Sequence, residues 1–423
     1  MNSSYKKHCS FVDLSGETNV YLHEINTLPG FEEIIASVDG IEKYDRVTAI
    51  ARKNDVVFLK STPDYEYLKW LASVNMGSRN IIILDGEAGE VLPERVVKNG
   101  ARQKMLGYIK QKKAELCPYY GGKKEMAASI HLGLSMYANT MAVEKYDSKV
   151  NFKNMCTSLG VPVLDGDFFN IRRGEKTLKK LLKKNMKETG IAIVRGEFGA
   201  SGSTTLLFSN LDKNKINKIL SSSEVNQNYI IEPYVEKASS PSSTWFVSKN
   251  KEIFHLRTSD QILVDGISHA GNKFPVDCNE SQIDSYSFKI ASRLCDEGFI
   301  GPFGIDYMQA KTGELYATEC NPRVTGSMYP WEIVCQLETR HGKIKAATSK
   351  NMHLLQKQQD FLHVKKLLGN YLYNGTIANN KVFPFNVGPV AEGKFALVGF
   401  GESTEEVDLL FTEIEKRINE SRF

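Results

Sequence analysis

Residues 301–323, GPFGIDYMQAKTGELYATECNPR, read as two strands folded back on each other. Positions 301–310 and 314–321 are strand-like, and Lys311-Thr312-Gly313 between them is a glycine-containing turn. With Thr312-Gly313 as a two-residue loop, Asp306 falls directly opposite Glu319. Side chains so opposed have Cβ atoms roughly 4.5–5.5 Å apart, and two like charges there repel. A divalent cation between them removes that penalty. Asn321 is two residues past Glu319 and so points to the same face. Two carboxylates and an amide oxygen make a hard, all-oxygen donor set suited to Mg²⁺ shared with phosphate oxygens. Cys320, between two of these residues, alternates to the opposite face and reads as structural.

An isolated Asp/Glu pair is more often a solvated surface hairpin. Here the pair runs on into Asn321-Pro322-Arg323, and a glycine-rich stretch, Gly199-Ala200-Ser201-Gly202-Ser203-Thr204-Thr205, lies upstream after a strand that ends in Arg195. Small residues let backbone N–H groups approach an anion closely, and the hydroxyls add donors. The loop is neither GxxxxGK[ST] nor GxGxxG, so a P-loop or dinucleotide-binding Rossmann reading has little support.

The bulk numbers set limits. A chain of 423 residues can hold two to four domains with a substantial core. Hydrophobic residues make up 41% and charged residues 25%, an ordinary balance for a soluble globular protein. A net charge of +4 is too small to imply nucleic acid. The opening residues lack an apolar h-region, and no run reaches membrane-span length. Seven scattered cysteines without a CxxC argue against a disulfide framework or a zinc cage. Together these features predict a cytoplasmic protein.

Outward from the hairpin, residues 55–60 and 81–84 predict buried strands. Between them Pro63–Met76 reads as a helix with Thr62 as N-cap and Gly77 as its stop. That βαβ unit implies a parallel sheet. Residues 101–146 read as mostly helical, with a break over Cys117–Gly122. A helix is expected from Lys149 to about Leu159. Residues 176–188 form a basic amphipathic helix with Leu178, Leu181 and Leu182 inward and its lysines solvated. Strands follow at 191–195 and 229–232, and 244–248 pairs with 253–257. Ser403-x-x-Glu406 is a capping box for a helix with Val407, Leu410, Phe411, Ile414 and Ile418 on one side.

The order Lys149, Arg195, glycine-rich loop, strand ending in Glu232, then Asp306, Glu319 and Asn321, resembles the ATP-grasp superfamily of carboxylate–amine ligases over roughly residues 140–335. The sharpest part is Asp306, twelve residues, then Glu-x-Asn-x-Arg. The resemblance implies an α/β (α+β) protein. An N-terminal parallel-sheet domain (1–140) would precede two ATP-grasp lobes (141–235 and 236–423), with ATP between them. It implies that Lys149 reaches the α-phosphate, with Arg195 as a second basic residue. Gly199, Ala200, Ser201, Gly202 and Ser203 would close over the β- and γ-phosphates, and Glu232 with Pro233, Tyr234 and Val235 would hold adenine. The usual acidic ribose contact falls at Ser239-Ser240, with Glu236 as its nearest substitute. Asp306, Glu319 and Asn321 would ligate one or two Mg²⁺ ions, with Mn²⁺ as a substitute. A second stretch, His23–Gly30, looks like the metal-site ending of D-alanine–D-alanine ligases, but it lies at the wrong end of the chain and has no aspartate at the matching spacing.

Such a site suits activation of a carboxylate by phosphorylation and its transfer to an amine, with release of ADP and phosphate. Arg323 would bind the acceptor carboxylate and stabilise the tetrahedral intermediate. Arg257 is a second candidate catalytic residue beside Arg323, it and His269 are further candidate substrate contacts, and Arg257→Ala should impair acyl-phosphate formation more than ATP binding. The expected substrates are small: an amino acid or peptide acid and an amine, as in a stand-alone ligase of secondary metabolism. Neither nucleic acid nor membrane is expected as a partner, and a homodimer is compatible with the superfamily. Two alternatives stay open: a bicarbonate-activating carboxylase or synthetase subunit, and an ATP-binding module without ligase activity.

Overall fold

The computed structural model describes residues 4–421 apart from 31–39, 110–112, 200, 201, 203, 223–226, 265, 267 and 379. A parallel sheet comes first, in the order Asn80–Ile83, Val56–Leu59, Thr18–Leu22, Ala114–Pro118, Ser135–Met136. Val56–Leu59 and Thr18–Leu22 are buried along their whole length. Helices cover both faces, as a parallel sheet requires. Ala114–Pro118 corrects the expectation of helix across 101–146. The break falls where it was expected, between helices Ala101–Ile109 and Lys123–Leu132, but it opens with a strand that ends at Cys117-Pro118 beside Thr18–Leu22. The crossover helix is Tyr65–Ser73, shorter than expected. Asp64 rather than Thr62 caps it, accepting from Tyr67 N.

Next, Asp167–Asn170, Asn228–Pro233, Ala192–Gly196 and Thr205–Phe208 make a small antiparallel sheet in that order. Helices Gly174–Asn185 and Lys213–Leu220 pack on it through Leu178, Leu182, Ile216 and Ile219, against Phe169, Val194 and Phe208. Lys176, Lys180, Lys183 and Lys184 stay exposed.

The third unit is a large sheet. Its path runs Lys237–Ser239, Gly301–Ala310, Pro241–Val247, Ile253–Val264, Ser268–Phe274, Ala346–His353, Lys394–Gly401, Lys381–Phe385. Leu315–Asn321 pairs with Gly301–Ala310, and Lys6–Lys7 pairs in parallel with Ile253–Val264. The early strand Lys6–Lys7 thus belongs to the far sheet, although residues 1–140 were expected to form one domain. Helix Thr404–Glu420 buries the five apolar residues named for it, and Ser403 Oγ accepts from Glu406 N. Cys9 and Cys335 form a disulfide, which the cysteine spacing did not suggest because 326 residues separate them. Cys320 is buried, as alternation required. Among the described residues no helix is long and apolar enough to cross a membrane.

The decisive hairpin differs from expectation in one detail and agrees in the one that matters. Its loop is Lys311-Thr312-Gly313: Gly313 N donates to Ala310 O (2.9 Å) and Ala310 N to Glu314 O (2.8 Å). Gly313 takes φ +102°, where a side chain would be strained. A three-residue loop shifts the register by one, so Tyr307 faces Ala317. A bulge at Thr318 shifts it back, and Asp306 still faces Glu319. Thr318 Oγ1 fastens the bulge by donating to Asp306 O (3.0 Å).

Candidate functional site

Asp306 and Glu319 open onto the cleft between the small sheet and the large one. Strand pairing sets them opposite each other. Burial, and then the Glu319 charge, hold Asp306 above the usual carboxylate range. Glu319 is pushed up by the same burial, but Lys149 Nζ, 3.1 Å from its Oε2, brings it below its ordinary value. Asn321 Nδ2 donates to Asp306 Oδ2 (3.0 Å), and Asn321 Oδ1 accepts from Arg323 Nη2 (2.7 Å). Turning the amide end for end would present its oxygen to a cation beside Asp306. Opposed carboxylates with an adjacent amide are a fitting donor set for Mg²⁺.

One cavity of about 160 Å³ lies on the small-sheet side of this cluster, lined by Lys149, Arg195, Gly199, Gly202, Glu232 and Pro233–Val235 among others. Leu164, Ile193, Leu263 and Met308 give it an apolar slot. Lys149 sits in the first turn of helix Lys149–Ser158 and donates to Gly199 O (3.1 Å). Glu232 is buried on the middle strand, where Arg195 Nη2 (2.5 Å) and Lys153 Nζ (2.6 Å) both reach its carboxylate. Arg195 Nη1 also donates to Thr318 O (3.3 Å), and its Nε is buried without an acceptor among the described residues. Gly202 has φ +77°. Ala200, Ser201 and Ser203, named for the same loop, lie outside the described residues. Glu236 turns away to an exposed pair with Lys311 (2.8 Å), while Ser240 lines the cavity.

A second cavity, about 390 Å³, lies on the other side and shares Asp306, Glu319, Gly202 and Gln261 with the first. The carboxylate pair therefore stands at the junction of two spaces. Arg323 is buried here, with its guanidinium 5.6 Å from the Tyr119 ring centre. His269 lines the same space and bonds Asn272 Oδ1 through Nε2 (2.7 Å). Burial lowers its pKa and favours the neutral ring. The parallel sheet closes this cavity from below with Ile25, Tyr44, Arg46 and Tyr119.

Arg257 is not brought to the site. It pairs with Glu338 (2.8 Å), stacks over Phe274 at 4.6 Å and lines neither cavity. The set-aside His23–Gly30 stretch likewise supplies no cation ligand in the cleft: Glu24 is buried against Lys60 (2.7 Å). Three residues escaped the sequence reading. Lys153 was findable, since it follows Lys149 by one helical turn and shares its face. Lys237, which lines the first cavity and whose pKa is lowered by burial and by Arg195, carried no local signal. Neither did Arg46.

Residues 168–327 match the family model described as an ATP-grasp domain. No curated protein sequence matches the chain. Among solved structures, N5-carboxyaminoimidazole synthetase from Staphylococcus aureus superposes with a TM-score of 0.55 at 12% identity, covering 98% of this chain and 100% of that one. Biotin carboxylase from Campylobacter jejuni gives 0.58 at 12% identity, covering 96% and 97%. Pyruvate carboxylase from Rhizobium etli gives 0.55 at 13% identity over 94% of this chain and 37% of that one. At such identities the likeness is one of fold.

Proposed function

We propose that this chain, whose residues 168–327 match the ATP-grasp domain model, is an ATP-dependent ligase that activates a carboxylate as an acyl phosphate and joins it to an amine. The observation that carries the reading is the position of Asp306 and Glu319, shared by two cavities. A carboxylate is inert to amines because its oxygens are poor leaving groups. Bound ATP with Mg²⁺ would supply the γ-phosphoryl group that turns one of those oxygens into a leaving phosphate.

The chain's own residues fit the remaining tasks. Asp306, Glu319 and Asn321 would hold one or two Mg²⁺ ions, or Mn²⁺. Lys149, Arg195 and the loop beginning at Gly199, with Ala200, Ser201, Gly202 and Ser203, would hold the triphosphate. The apolar slot beside Pro233–Val235 suits a flat base, and Glu232 serves by fixing Arg195 and Lys153. Arg323, buried and lining the second cavity, is placed to bind the acid and to steady the oxyanion of the tetrahedral intermediate. His269 is a candidate substrate contact in the same space.

An amino acid or small peptide is the acid this reading favours. The second reading, with bicarbonate as the acid, draws support from neighbours that are named carboxylases, one of which matches over nearly the whole chain. One experiment separates the two. Purified protein is incubated with ATP and Mg²⁺, and either pooled amino acids or bicarbonate with amines, using Glu319→Ala as control. ADP and phosphate that depend on the amino-acid pool, together with condensed products by mass spectrometry, support peptide-type ligation. ADP that depends on bicarbonate supports the carboxylase. AMP and pyrophosphate would overturn acyl-phosphate chemistry altogether.

A further inference from the structure

The second cavity holds more positive charge than acid activation uses. Its acidic lining residues among those described are Asp306 and Glu319, and both belong to the proposed cation site. Arg323 is engaged with Asn321. Lys350 turns its ammonium to Glu415 (3.1 Å) on the outer helix. Two cations remain, Arg46 and Lys394, with no acidic partner among the described residues.

Arg46 is the better defined of the two. Its guanidinium carbon lies 4.7 Å from the Tyr44 ring centre and 5.9 Å from that of Tyr329, so two aromatic rings fix its position. Its Nε is buried and finds no acceptor among the described residues. On its cavity side stands Gly326, three residues after Arg323. A Cβ built on Gly326 would lie 3.7 Å from Arg46 Nη1 and 4.0 Å from His269 Cε1. Guanidinium, imidazole edge and bare glycine thus border one small bay. Lys394, opposite His353 in the strand pairing, adds positive field along the same wall. An unpaired donor on a half-buried guanidinium is unfavourable, and a planar or tetrahedral anion would satisfy it.

We propose that the non-nucleotide substrate carries an anionic group remote from its reacting centre, a carboxylate or a phosphate, and that Arg46 binds it beside Gly326. The inference rests on the ligase reading in placing that substrate in the second cavity. It narrows the substrates to acids or amines with an additional negative charge, and it makes Arg46 a specificity-determining residue contributed by the parallel-sheet domain.

The test uses the full chain saturated with ADP and Mg²⁺, titrated with glutarate, with methyl phosphate and with neutral glutaramide. Binding is followed by NMR line broadening and by the thermal midpoint. Glutarate or methyl phosphate should bind and glutaramide should not, and the tighter anion identifies the chemistry. Arg46→Met should weaken the anion by at least about tenfold, on the order of one charge-assisted hydrogen bond. ADP binding should be unchanged. If Arg46→Met does not fold, Arg46→Lys takes its place: it keeps the charge, loses the fork and should bind more weakly than the original. No anion binding by the unaltered protein, or equal binding after substitution, overturns the proposal. Loss of the ADP response in the unaltered protein would instead sink the nucleotide reading, and titration without nucleotide would still decide the role of Arg46.

Discussion

Lys149 Nζ lies 3.1 Å from Glu319 Oε2 and 3.1 Å from Gly199 O, so one ammonium joins the proposed cation site to the rim of the glycine-rich loop. Lys149→Met would remove the proposed phosphate contact and the cation paired with Glu319. The ADP dissociation constant, measured by calorimetry at saturating Mg²⁺, should rise by roughly tenfold or more. An unchanged constant would remove Lys149 from the nucleotide site.

Glu232 holds two cations in a buried setting. Glu232→Gln leaves Lys153 and Arg195 without their counter-charge, and breaking a buried pair in this way costs about 3 kcal/mol. Chemical denaturation should show that loss. Nucleotide phosphates would supply a new partner for Arg195, so part of the loss should be recovered in the presence of ATP and Mg²⁺.

Two arginines that the sequence made equal are separated by the structure. Arg323 faces the second cavity, whereas Arg257 is tied to Glu338 beneath Phe274 and Trp331. Arg323→Ala should lower turnover by on the order of 10²–10³. Arg257→Ala should lower the thermal midpoint and leave kcat within about threefold, because its partner is structural. A large kcat loss in Arg257→Ala would contradict this placement.

Glu332 predicts a pH effect. Burial pushes its carboxyl up to about 7, with hydrogen bonds from Ser10 and Gln336 only moderating the rise. The folded state therefore favours the protonated form. The stability this adds is complete below the ordinary value of 4.5 and is lost as pH rises through about 7. Within that window the loss runs at roughly 1.4 kcal/mol per pH unit. Glu332→Gln should flatten the fall. Asp45 and Glu125 are also pushed up to about 7 by burial, so the informative quantity is the difference between the two proteins.

The clustering of Asp306, Glu319 and Asn321 was legible because a hairpin is local and its side chains alternate with period two. Even there the loop length was misread, and the opposition of Asp306 and Glu319 survived because the bulge at Thr318 offset the longer loop. Ala114–Pro118 was not legible: its polar start and the Pro-Tyr-Tyr-Gly-Gly that follows imitate a loop, and only the strands on either side make it central. Arg257 looked catalytic because Glu338 is 81 residues away in the chain. Arg46 was invisible for a similar reason, since the sheet face that gives it a cavity is assembled from residues more than two hundred positions later.

The strand Lys6–Lys7 bears on how the chain is made. Tyr5 donates to Asp284, His8 N to His255 O, and Ser10 to Glu332. At translation rates of 5–20 residues per second, residues 5–10 leave the ribosome roughly ten to sixty seconds before those partners exist. Until then they have no sheet to join, and the sheet that carries Asp306 and Glu319 lacks its pairing along Phe254-His255. A fragment starting at residue 140 would meet the same gap permanently, so the large sheet depends on residues 5–10 for its own completion.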